Sequence, residues 1–149
     1  MTATPGAGGT TRSPKSVFAA APVWRVGALA SVVAVVLTTV FALAAKALDV
    51  SLEVDSEAIP IIAFAYITLL FAAVGTVLAV VLARRAKRPA RTFIVTTVAL
   101  TAVSLVPPLA TADIDTSTRV TLSLSHLVAA AVVIPVLAAR LSYVQRTRG

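Results

Sequence analysis

The chain alternates between long stretches that carry no charge and short stretches that carry almost all of it. Four apolar runs, Val26–Ala45, Ile59–Leu82, Phe93–Ala112 and Leu122–Ala139, contain no Asp, Glu, Lys or Arg, and their one histidine is His126. A helix rises about 1.5 Å per residue and a bilayer's hydrocarbon core is about 30 Å thick, so each run predicts one membrane-spanning helix. Strands are excluded by the pattern. A barrel needs segments of about ten residues with alternating polarity, and these runs are apolar on every side. In lipid the only other way to pair each backbone N–H and C=O is within a helix.

The connections Lys46–Ala58, Ala83–Thr92 and Asp113–Thr121 are too short to hold a further domain and make consecutive helices antiparallel. The expected fold class is all-α: a four-transmembrane-helix bundle over 23–141. It is flanked by a disordered tail, 1–22, rich in Gly, Thr, Pro and Ala, and by a basic tail, 142–149. Prolines punctuate the boundaries. Pro22 precedes the first span, Pro60 falls in the first turn of the second, and Pro89 precedes the third, where a missing N–H is tolerated.

Composition strengthens this picture. Of 149 residues 58% are hydrophobic and 13% charged, against about 45–50% and about 25% in ordinary globular domains. A water-soluble fold of this size has too little interior to hide that much apolar surface. The net charge of +7 resembles a nucleic-acid footprint only in total. The basic residues flank apolar runs, without interleaved aromatics or a binding motif, so no nucleic-acid partner is expected. The chain has no cysteine, which removes disulfides, thiolate metal sites and cysteine nucleophiles together.

The distribution of charge predicts orientation. Eleven of the 13 basic residues lie in the N-terminal tail, the 83–92 connection and the C-terminus, with no acid among them. All six acids (Asp49, Glu53, Asp55, Glu57, Asp113, Asp115) lie in the other two connections, beside Lys46 and Arg119 alone. Lys/Arg excess in short loops marks the cytoplasmic side, so both termini are expected there, in a plasma (inner) membrane. A competing reading takes the first run as a signal peptide cleaved near Ala42-Leu43-Ala44. That run is longer than the usual 7–15 apolar residues, and Lys46 follows the candidate site.

Candidate chemistry is sparse. Small residues recur at helical spacing as Gly27, Ser31, Ala34, Thr38, Ala42 and Ala45 in the first span and Gly75, Ala79 and Ala83 in the second. Such series are helix–helix seams, since lipid tails are as apolar as leucine and only close packing holds helices together. His126 is the charge-capable group inside a span, and intramembrane groups of that kind are functional candidates. The structural alternative is a hydrogen bond to span three, where Pro107 and Pro108 leave the carbonyls of Val103 and Ser104 without their i+4 donors. Thr97, Thr101 and Ser104 form one hydroxyl stripe on that span. It is either a polar lining or a set of side chains bonded to their own i−4 carbonyls. No catalytic, cofactor or metal set is visible, so no enzyme activity and no cofactor are expected. The acidic turn lacks the spacing of a calcium loop, and "RRAKRPAR" (84–91) is explained by topology, with lipid headgroups as further contacts.

The segments "RPARTF" entering span three, "SLVPPLA" at its end and "SHLVAAAVVIPVLAARL" in span four, with the order and length of the spans, resemble a domain-of-unknown-function family of small four-span bacterial membrane proteins. The resemblance covers Val23–Leu141 and implies the fold alone. The first span lacks the membrane-embedded Glu on which small four-span multidrug exporters depend. The expected role is a non-enzymatic membrane component or accessory subunit that packs against itself or another membrane protein. The alternative is a small transporter or channel subunit with His126 and the hydroxyl stripe near the path.

Overall fold

The computed structural model describes residues 21–54, 56–112 and 114–147. The expected N-terminal tail lies outside them but for its last two residues, as do Asp55, Asp113 and Arg148. The elements are α1 (Val23–Ala47), β1 (Glu53–Val54), β2 (Glu57–Ala58), α2 (Ile61–Arg85), α3 (Pro89–Ser104), α4 (Val106–Ala110) and α5 (Thr116–Arg146). Four helical segments, with α3 and α4 counted as one, are long and apolar enough to cross a membrane. The fold is all-α, with a two-stranded antiparallel hairpin pairing Glu53 with Ala58 and Val54 with Glu57.

The first three spans begin where the sequence places a proline. Pro22 and Pro60 are the N-caps of α1 and α2, and Pro89 is the first residue of α3. The helices run past the apolar runs because backbone hydrogen bonding does not stop where hydropathy does. The largest excess is in α5, whose 31 residues extend about 46 Å, well beyond the hydrocarbon thickness. Residues 142–146, expected as tail, continue this helix.

α1 ends in a Schellman motif. Val50 N–H bonds the Ala45 carbonyl and Asp49 N–H that of Lys46, both at 3.1 Å, with Asp49 in the left-handed region at φ 59°. The chain then turns so that buried Leu52 joins Ala42, Ala45 and Phe64 between the ends of α1 and α2. α5 starts on Asp115, whose carboxylate accepts the Ser117 N–H at 2.9 Å and also the Ser117 hydroxyl. The Ser117 hydroxyl first, then backbone N–H groups, hold the Asp115 carboxyl below its ordinary value. Because the folded value is lowered, the cap stabilises the helix above the unfolded carboxylate pKa. That contribution is lost as pH falls through the folded value. Asp115→Ala is therefore expected to speed amide exchange at Ser117 and Thr118 at neutral pH, with the difference vanishing in acid. Equal protection in both proteins at neutral pH would disprove the cap's role.

The bundle is inverted relative to a water-soluble one. Small residues face inward: the buried set of α1 is Val26, Gly27, Ala30, Ser31, Ala34, Thr38, Ala42 and Ala45. Large apolar residues such as Val36, Leu43, Leu70, Phe71, Val95 and Leu127 face out. Water would penalise that arrangement, whereas lipid does not. α1 packs closely along α2 and also along α5, and α5 in turn packs on α3. α2 and α3 are joined by a short turn, Ala86–Arg88, yet touch only sparingly. Among the described residues, one end of the bundle carries Arg84, Arg85, Lys87, Arg88, Arg91 and Arg140, and the other carries every acid. At the basic end Arg140 Nε donates to the Ala21 carbonyl at 2.8 Å, tying the start of α1 to α5.

Candidate functional site

The small-residue series does its packing within the chain. Gly27 lies against Thr76, Ala34 shares a buried cluster with Ala72, and Thr38 Oγ1 lies 3.0 Å from Thr68 Oγ1. These three levels step along the antiparallel α1–α2 pair, so the α1 seam is engaged within the chain.

The gap lies on the other side of α2. α2 and α3 touch only sparingly, and a cleft of about 470 Å³ lies between them with residues of α5 along its floor. Its walls are apolar, and Phe71, Leu100 and Val103, all more than half exposed, stand at its margin. The cleft therefore opens sideways, at a level where the helices are sheathed in apolar side chains. Toward the basic end its last lining residues are Leu78, Thr97 and Ile134. About one turn further, the fully buried Phe93, Leu137 and Leu141 fill the bundle, so the cleft is blind there.

Thr97, Thr101, Ser104 and His126, singled out from sequence as candidate polar positions, all line this cleft. Their hydrogen bonds are local. Thr97 Oγ1 donates to the Phe93 carbonyl at 2.7 Å, Thr101 Oγ1 to that of Thr97 at 2.8 Å, and Ser104 Oγ to that of Thr101 at 2.7 Å. His126 does not bridge to the carbonyls of Val103 or Ser104. Its Nδ1 donates instead to the Leu122 carbonyl, one turn back in α5, at 2.8 Å. A carbonyl can only accept, so in the neutral ring the proton is on Nδ1, and Nε2, an acceptor, has no partner among the described residues. The prolines act on the chain path instead: α3 ends at Ser104, and Pro107 and Pro108 open the separate short helix α4. At the far end of α4, Arg119 Nη2 donates to the Thr111 carbonyl at 2.8 Å, satisfying a group beyond the last turn.

Two polar positions went unrecognised in the sequence. Ser125 and Thr68 also line the cleft. Thr68 and Gly75 stand seven residues apart, hence on one face of α2. Ser125 adjoins His126, and its burial is set by packing on neighbouring helices that no local pattern encodes.

Neither a curated protein nor a solved structure matches the chain. A family model does, over residues 18–143, and that match takes in all the spans and every residue of the cleft. The chain belongs to the family of unknown function DUF6069.

Proposed function

We propose that this protein is a non-enzymatic component of the bacterial plasma membrane, with both termini in the cytoplasm, that holds a small apolar or amphipathic molecule in the cleft between α2 and α3. The cleft itself carries the reading: an apolar recess that opens sideways, contains one imidazole and is lined by a hydroxyl stripe. A volume of about 470 Å³ falls within the range of small-ligand sites, roughly 300–1,000 Å³.

The expectation that the protein acts by packing against itself or another membrane protein leaned on the small-residue series; the α1 members Gly27 and Thr38 lie against Thr76 and Thr68 of α2, and Gly75 lines the cleft. The transporter reading needs a route toward the basic end, where Phe93, Leu137 and Leu141 are fully buried. A holding role requires no route. His126 is the sole histidine or charged side chain lining the cleft among the described residues, and an imidazole bonded to a backbone carbonyl rather than to a neighbouring hydroxyl favours binding over catalysis.

Orientation rests on the charge asymmetry between the two ends, and the absence of cysteine makes it directly testable. In intact cells a membrane-impermeant thiol reagent is expected to label Ala58→Cys and not Gln145→Cys, with both labelled after lysis. The reverse pattern would overturn the orientation. For the cleft, Ala130→Phe places a ring in the recess. Native mass spectrometry of protein extracted in nanodiscs is expected to find a bound small molecule on the unaltered chain. That molecule should be absent from the variant, with helix content unchanged. Identical bound species on both proteins would refute the proposed role of the cleft.

A further inference from the structure

The hydrogen-bonding state of the cleft says more than its shape. A hydroxyl has one proton to donate, and a carbonyl can only accept. Thr97, Thr101, Ser104 and Ser125 each direct that proton to a backbone carbonyl of their own helix, the last to Leu122 at 2.7 Å. Thr38 donates to the Ala34 carbonyl at 2.9 Å, so in its 3.0 Å contact with Thr68 it is Thr68 that donates. His126 has its Nδ1 proton on the Leu122 carbonyl. Every neutral polar side chain lining the cleft thus has its proton committed elsewhere, and what remains toward the recess is lone pairs. Among the described residues no Asp, Glu, Lys or Arg lines it.

We infer that the cleft is a binding site for a membrane-borne amphiphile whose head is a neutral hydrogen-bond donor, a long-chain alcohol being the simplest case, with the hydroxyl donated to Nε2 of His126. This rests on the reading of the cleft as a small-molecule site and adds the class of molecule. A carboxylate or phosphate head would find no donor in the wall. An ammonium head would find acceptors but no counter-charge, and an unpaired ion in apolar surroundings is strongly disfavoured. A pure hydrocarbon would leave the acceptors facing apolar atoms, and a buried acceptor left unmatched is a penalty rather than a neutral event. A hydroxyl on an apolar chain satisfies both parts of the wall. The hydroxyl meets the lone pairs, and the chain lies against the apolar sides of α2 and α5. The lateral opening lets such a molecule arrive from the bilayer without crossing water.

The test uses the full chain in phosphatidylcholine nanodiscs and a tetradecanol carrying a diazirine on its chain as the photolabel, with labelled peptides located by mass spectrometry. Label is expected on cleft residues of α2, α3 and α5. Unlabelled tetradecanol should displace it about five- to tenfold more effectively than its methyl ether, the change expected for one hydrogen bond. Tetradecanoate and tetradecyltrimethylammonium should displace it poorly. His126→Gln, which retains an acceptor, should preserve the preference for the alcohol over the ether, and His126→Phe should abolish it. If alcohol and ether compete equally for label within the cleft, the donor-head inference is overturned while the cleft remains a ligand site. Stronger displacement by the carboxylate or the ammonium overturns it likewise. Label spread over the lipid-facing surface with none in the cleft overturns both. The alcohol–ether comparison on the unaltered chain decides the matter even if a His126 variant fails to fold.

Discussion

Gly27→Ala, the addition of one methyl group, is expected to destabilise the bundle by about 2 kcal/mol, the scale of overpacking in a close-packed interior. A Cβ at Gly27 would lie 2.9 Å from Thr76 Cβ, with Thr76 Oγ1 and Cγ2 nearer still. Rotating the Thr76 side chain moves its hydroxyl and methyl but leaves its Cβ in place, so α1 and α2 must separate. Separation is expensive here because no hydrophobic driving force pulls helices together in lipid, and the close contacts themselves supply the stability. The effect should appear as a fall in midpoint during unfolding in mixed detergent micelles. Adding Thr76→Gly should recover more than half the loss despite the lower helix propensity of glycine, whereas Thr76→Ala, which keeps the obstructing Cβ, should recover less. A Gly27→Ala protein as stable as the parent would mean that the two helices are not pressed together at this level.

Phe93→Ala is the second large effect. Phe93 is fully buried beside Leu137 and Leu141, at the level where the cleft ends. In a membrane the lost ring would otherwise sit in lipid, so the transfer term is small and the cavity term dominates. At ~24 cal/mol per Å³ and a void of ~100 Å³, the loss is about 2–3 kcal/mol. The same void would join the cleft to the basic end of the bundle. A cysteine at Thr97, shielded from reagent added on that side in the parent, should then react in the Phe93→Ala background. Unchanged stability together with unchanged reactivity would show that Phe93 does not close the cleft.

Much of this architecture is legible in the sequence because lipid makes the rules local. Each span had to be helical and long enough on its own, so composition alone located all four, and Pro22, Pro60 and Pro89 marked three starts. The α1 seam was legible for the same reason: a regular series of small residues in an otherwise bulky apolar helix has few uses besides close packing. The hairpin at Glu53–Ala58 was not foreseen. Its alternation spans only a few residues, and its turn depends on positive φ at Leu52 and Ser56, which neither residue type announces.

The sequence by itself determined the number of spans, the boundaries of the first three to within a few residues, the inward face of α1 and the hydroxyl stripe of α3, because each depends on one helix in its surroundings; α5 runs well past both ends of its apolar run. Only the tertiary structure decided which helices touch. Loop lengths made α2 and α3 consecutive antiparallel helices, but α3 packs chiefly on α5 and only sparingly on α2, and the cleft lies between α2 and α3. It also decided that Thr97, Thr101, Ser104 and His126 share one space. The direction of the His126 hydrogen bond was decided there too. The carbonyl that its Nδ1 reaches belongs to its own preceding turn, and the prolines of span three break the helix rather than present a partner. Contacts between helices far apart in sequence depend on how whole surfaces fit, and no periodicity within a single helix carries that information.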